Sequence, residues 1–122
     1  MIKRYAHADH LLVAVDCIIF GFDKNQLNLL LTKRALEPEK GKWSLIGGFV
    51  GKDESLDDAA TRILHKLTGL KNIYMEEVKA FSEVKRDPVE RTLSVAYYAL
   101  IKMKPNMKLS AEYGAQWVPT DD

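Results

Sequence analysis

The stretch Gly47-Gly48-Phe49-Val50-Gly51-Lys52-Asp53-Glu54-Ser55-Leu56-Asp57-Asp58-Ala59-Ala60-Thr61-Arg62-Ile63-Leu64-His65-Lys66-Leu67-Thr68-Gly69-Leu70 decides the fold. Leu56, Ala59, Ala60, Ile63, Leu64 and Leu67 recur at three- and four-residue spacing, which places one apolar stripe on a helix. Ser55 with Asp58 three residues on has the form of a capping box. Asp57 and Asp58 suit the positive N-terminal end, and Gly69 supplies a stop. A glycine-containing loop therefore runs into a helix that is specified at both ends.

Around this unit the chain reads as a sheet. Leu11 to Phe22 is rich in β-branched residues, and Gln26 to Arg34 carries the run Leu27, Leu29, Leu30, Leu31. Gly21-Phe22-Asp23-Lys24-Asn25 between them reads as the turn of a hairpin. A loop from Ala35 to Lys42, containing Pro38 and Gly41, leads to Trp43 and a short strand. Beyond the helix, Ile73 to Val84 is expected to form a strand with an interruption, Lys85 to Arg91 a loop containing Asp87-Pro88, and Leu93 to Lys102 a strong strand. Trp117 and Val118 fall on a last short one. Residues 1 to 9 read as a polar arm, with His7 and His10 as solvated or arm-packing side chains.

At 122 residues and 47% hydrophobic, the chain buries one ordinary core and is too short for two comfortable domains. A formal charge of +1 with 29% charged residues gives no basic field for nucleic acid, so any DNA contact has to come from elsewhere. Cys17 is the only cysteine, which excludes an intrachain disulfide and a cysteine-based zinc cluster. Its apolar neighbours mark it as a buried, inert thiol. No secretory or membrane-spanning run is present, and a cytoplasmic protein is expected.

Gly48-x5-Glu54-x7-Arg62 followed by Gly69-Leu70, preceded by Trp43-Ser44-Leu45-Ile46-Gly47-Gly48, resembles the Nudix box. That box runs Gly, five residues, Glu, seven residues, then Arg-Glu-apolar-x-Glu-Glu-x-Gly-apolar. Ile46 stands where the family usually has proline. Ile63, Lys66 and Leu67 stand where active members carry the glutamates that hold divalent cations. The resemblance implies an α+β fold, an α/β/α sandwich around a mixed sheet, of which this chain would lack the final helix. Hard cations need oxygen ligands, and without those carboxylates neither Lewis-acid help nor water activation is available. A lysine ammonium about 4 Å from a divalent ion would add roughly 8 kcal/mol of repulsion at an effective dielectric of about 20.

Read together with Arg86-Asp87-Pro88 and Ser94-Val95-Ala96-Tyr97-Tyr98-Ala99-Leu100, the pattern is similar to the Nudix-related transcriptional regulators, especially the sugar-responsive, arabinose-type branch. In that family a degenerate Nudix domain binds a pentose or ADP-ribose, a C-terminal winged-helix domain binds the operator, and the proteins dimerise. The resemblance implies that residues 1–122 form the effector-binding domain of such a homodimer, with the DNA-binding domain beyond residue 122. Gly47 and Gly48 would let backbone approach a ligand, and Glu54 and Arg62 would brace the loop. Arg34, Trp43, Arg86, Asp87 and Arg91 are candidates for the pocket rim, the arginines suiting phosphate and Asp87, Glu54 and Trp43 suiting a neutral sugar. No catalytic residue, metal or cofactor is expected.

Two other readings compete. An active Nudix hydrolase acting on a substrate such as ADP-ribose would need magnesium held by other carboxylates, with Glu54, Asp57, Asp58, Glu83 and Glu90 the nearby ones in sequence. A dimerisation or scaffold module without a small ligand would need only the fold.

Overall fold

A computed structural model describes residues 5–33, 40–84, 87–105 and 107–120. Its elements, in chain order, are β1 (Leu12–Asp23), β2 (Gln26–Lys33), β3 (Trp43–Ser44), β4 (Ile46–Phe49), α1 (Leu56–Thr68), β5 (Glu76–Phe81), β6 (Thr92–Lys102) and β7 (Gln116–Pro119). The strands form a mixed sheet in the order β3-β2-β1-β6-β5, with β4 also paired to β1 and β7 to β2. This is the α+β arrangement expected from the sequence.

The β1–β2 hairpin turns more tightly than the sequence suggests. Phe22 and Asp23 continue the ladder against Leu27 and Gln26, so the turn contracts to Lys24 and Asn25. Lys24 absorbs the reversal at φ 55, left-handed backbone that a non-glycine residue adopts mainly in turns. From the other end of β1, Leu12 to Phe22 runs parallel to Thr92 to Lys102 of β6. Parallel strands need a long crossover, and here it runs through β2, β3, β4, α1 and β5.

The expected strand from Ile73 to Val84 is shorter, Glu76–Phe81, with a register shift between Glu77 and Lys79. Its first residues are diverted because Ile73 and Met75 pack against the core instead of joining the ladder. The expected helix forms as read. Ser55 Oγ accepts the Asp58 N–H at 3.0 Å, and Gly69 ends the helix at φ 85 with its N–H donated to the His65 carbonyl. The Thr68 carbonyl, which has no partner inside the helix, accepts the Ser110 N–H at 2.8 Å, satisfying a C-terminal group that would otherwise be orphaned.

The core lies between α1 and one face of the sheet. Val15, Cys17, Ile19, Leu30, Ile46 and Tyr97 meet Ala59, Ala60, Ile63 and Leu64. Cys17 is fully buried, and burial, aided by the charge of Asp16, pushes its thiol up to about 12. Among the described residues no helix is long and apolar enough to cross a membrane. His7 and His10 are exposed, as expected.

Candidate functional site

The loop between β4 and α1 is closed by one ion pair. Arg62, on the second half of the helix, reaches back so that Nη2 donates to Glu54 Oε2 at 2.8 Å and Nε donates to Glu54 Oε1 at 2.9 Å. The same Nη2 donates to the Phe49 carbonyl at 2.9 Å, and the Gly51 N–H donates to Glu54 Oε2 at 3.0 Å. The Arg62 guanidinium and the Gly51 amide hold the Glu54 carboxyl at about 2, well below its ordinary 4.5. The pair raises Arg62 in turn. Both oxygens of Glu54 are therefore engaged within the protein. The brace expected from the sequence is present, and with Gly51, Lys52 and Asp53 it lines an open depression of about 450 Å³.

Gly48 is needed for a different reason. A Cβ there would lie 2.8 Å from Cδ1 and 3.0 Å from Cγ1 of Ile63, so the missing side chain makes the hole that Ile63 fills. Ile63 is 3% exposed. The first of the three metal positions is thus a core contact, and a carboxylate there would enter a space shaped for a branched alkyl group. Leu67 packs against the same core, while Lys66 is exposed. Among the described residues no group of three or more His, Cys, Asp or Glu side chains is placed to hold a metal ion. The donor set of this box does not fit the divalent cation that an intact one holds.

Gly47 sits on the opposite face of β4. It pairs with Asp16, and a Cβ on it would lie 2.5 Å from Asp16 Oδ1. Asp16 is a half-buried carboxylate that sequence reasoning passed over as part of an apolar run. Its signal was there to read, since an acid inside a β-branched strand demands a reason for its partial burial.

The remaining candidates fall elsewhere. Arg34 and Arg86, with much of the loop around Pro38, lie outside the described residues. Asp87 Oδ1 accepts the N–H groups of Val89 and Glu90 at 2.8 and 3.2 Å, and these bonds lower its carboxyl below the ordinary value. Arg91 donates to the Ser82 carbonyl at 3.0 Å. Both residues shape their own loop. That loop enters β6 at Thr92 beside Leu12, while Val50 N–H donates to Val13 O, so it opens at the same end of the sheet as the braced loop. Trp43 stands on β3, 42% exposed, with the Lys33 ammonium 5.0 Å from its ring centroid. The structure therefore unites Gly48, Glu54 and Arg62, places Asp87 and Arg91 in a separate loop at the same end of the sheet, and leaves Trp43 on a third unit.

A contact not foreseen joins the helix to the sheet. The buried Tyr97 hydroxyl donates to Asp57 Oδ1 at 2.6 Å, at the edge of a cavity of about 200 Å³ lined also by Thr61, Ile73 and Met75. Burial and the Asp57 carboxylate both push the Tyr97 hydroxyl well above its ordinary value.

The NUDIX domain model matches residues 10–122. The chain belongs to the Nudix family. This Nudix domain is 37% identical over 110 residues to the ADPR responsive transcriptional repressor NtrR of Acinetobacter baylyi, a match spanning 88% of the chain and 44% of the repressor. It is 34% identical over 96 residues to an ADP-ribose pyrophosphatase of Methanocaldococcus jannaschii, spanning 79% of the chain and 54% of that enzyme. The chain spans about half the length of these curated relatives. Its fold superposes on the NUDIX domain of Shewanella oneidensis NrtR, solved with ADP ribose, at a TM-score of 0.78 and 28% identity, covering 96% of the chain and 78% of that domain.

Proposed function

We propose that this Nudix domain senses an effector and does not hydrolyse it, as part of a transcription regulator. The observation that carries the reading is the Ile63 side chain keyed into the hole above Gly48, in a position where catalysis would need a carboxylate. Ligand recognition then relies on hydrogen bonding and charge, for which the braced loop and its neighbour at the same end of the sheet are the site. Likeness to an ADPR-responsive repressor favours an ADP-ribose-like nucleotide over a free pentose. A pyrophosphate suits arginine donors better than a neutral sugar does. Homodimerisation, DNA contact through a segment outside this chain, and a cytoplasmic location belong to the same reading.

The hydrolase reading draws support from the likeness to an ADP-ribose pyrophosphatase, but Glu54, the box carboxylate that is present, is committed to Arg62 and Gly51. Titration calorimetry with ADP-ribose and with L-arabinose, each with and without magnesium, tests the choice. The expected result is magnesium-independent binding of ADP-ribose, with the nucleotide recovered intact. Magnesium-dependent release of AMP would overturn the proposal.

A further inference from the structure

The cavity at Tyr97 and Asp57 has a chemistry that the braced loop does not use. It measures about 200 Å³ and lies between the N-terminal half of α1 and the chain approaching β5. Ile73 and Met75, both packed against the core, supply its apolar wall. Tyr74 between them turns outward and stands 80% exposed at the rim. Tyr97 is 2% exposed, and its hydroxyl gives its one hydrogen to Asp57 Oδ1. A phenolic oxygen can also accept, yet among the described residues nothing donates to it. A buried acceptor left in this state calls for an explanation. Asp57 Oδ2 and the Thr61 hydroxyl, at the exposed side of the same cavity, likewise meet no donor among the described residues.

Charge decides what the missing donor is. Glu77 stands directly across from Tyr97 in the β5–β6 ladder, so the two side chains share a face. Its carboxylate and that of Asp57 both act on the Tyr97 hydroxyl. Lys79, the next charged residue along β5, pairs with Ala96 beyond the bulge and lies over the Phe81 ring on the other face. Among the described residues no cation forms an ion pair with Asp57 or Glu77. The positive end of α1 opposes a cation with about half an elementary charge. Asp57 and Asp58 in the first turn, together with Glu77, outweigh it.

We propose that this cavity is a site for a primary alkylammonium group, supplied by a free amine or by a lysine side chain. An ammonium carries three donors and no acceptor, which matches Tyr97 Oη, Asp57 Oδ2 and Thr61 Oγ1. Its methylene stem has Ile73 and Met75 to lie along, and Tyr74 is placed to lay a ring over the charge. A guanidinium suits the cavity less, because its planar fork seeks both oxygens of a carboxylate and Tyr97 already holds one of those on Asp57. A metal ion suits it less still, since among the described residues no three carboxylate, histidine or cysteine side chains gather there. The cavity shares no lining residue with the depression at Glu54 and Arg62, so the proposal goes beyond the sensing role and does not depend on it.

Carbon-13 methyl NMR of Thr61 and Met75, with n-butylammonium chloride titrated against sodium chloride at equal ionic strength, reads the site directly. The expected result is a saturable shift of both methyls, absent with n-butanol and with tetramethylammonium, which has the charge but no N–H. Asp57→Asn should weaken binding at least about tenfold, and Tyr97→Phe and Thr61→Val severalfold each, as charged and neutral hydrogen bonds are lost. Circular dichroism checks that each variant folds, and Thr61→Val, on the exposed side of the helix, keeps the test open if the others do not. No saturable shift in the wild type, equal shifts with n-butanol or tetramethylammonium, or undiminished binding in Asp57→Asn or Thr61→Val overturns the proposal. Lysine capped at both termini separates the two sources. Tighter binding than butylammonium assigns the site to a lysine of a protein partner, weaker binding assigns it to a free amine, and both support an ammonium site.

Discussion

Replacing Gly48 with alanine tests whether Ile63 and Gly48 are a fitted pair. The added methyl would meet Ile63 Cδ1 at 2.8 Å and Cγ1 at 3.0 Å, and overpacking of this kind costs about 2 kcal/mol. Ile63→Val removes Cδ1 from a position 3% exposed, at a cost of about 1 kcal/mol. If the two changes were independent, the double variant would lose about 3 kcal/mol. The geometry predicts otherwise, because the alanine methyl takes up the volume that Cδ1 vacates and only a few tenths of an ångström remain to be relaxed around Cγ1. The double variant should lose about 1 kcal/mol, a coupling of about 2 kcal/mol. Urea denaturation of the four proteins measures this, provided that the slopes agree. Additivity to within about 0.5 kcal/mol would refute the fit and with it the reason given for the apolar residue in the metal position.

Other consequences follow from the same contacts. Rebuilding the acidic box with Ile63→Glu, Lys66→Glu and Leu67→Glu should yield a protein several kcal/mol less stable, since an ionised carboxylate at residue 63 loses its water; magnesium-dependent cleavage of ADP-ribose by this variant would sink the argument. Glu54 is held at about 2 by Arg62 and Gly51 against an ordinary 4.5, so the brace is fully present above about pH 4.5 and is lost as pH falls through 2. Carbon-13 titration of its carboxyl should show that displacement, and a midpoint near 4.5 would mean that the brace does not form in solution. Tyr97→Phe removes the donor to Asp57, and thermal unfolding should register a loss of about 1–2 kcal/mol; an unchanged midpoint would assign the hydroxyl to water.

The helix was legible because local chemistry specifies it at both ends, Ser55 at the start and Gly69 at the stop. Ile63 could be recognised as a substitution in a metal position, but the partner that it fills was not visible, since Gly48 meets it only across the turn of the loop. The β1–β6 pairing was equally hidden, because parallel strands leave no local turn signal to mark their register. For Ile73 to Val84 the apolar residues suggested a strand with an interruption, whereas Ile73 and Met75 are spent on the core and only Glu76–Phe81 pairs. Asp87 and Arg91 were candidates for the pocket rim through the resemblance. Their nearest acceptors and donors lie in their own loop, a preference that short polar side chains commonly satisfy locally.

The clasp between Arg62 and Glu54 also governs what a ligand in that loop can achieve. An anion that takes the Nε–Nη2 edge of the guanidinium must displace the carboxylate seated on it, so binding on that edge is an exchange whose net affinity is the difference between two similar contacts. Released from Arg62, Glu54 would also loosen its hold on the Gly51 amide. Occupancy would then be reported along the backbone from Phe49 to Glu54, and the loop would act as the transmitter of the signal as well as its receptor.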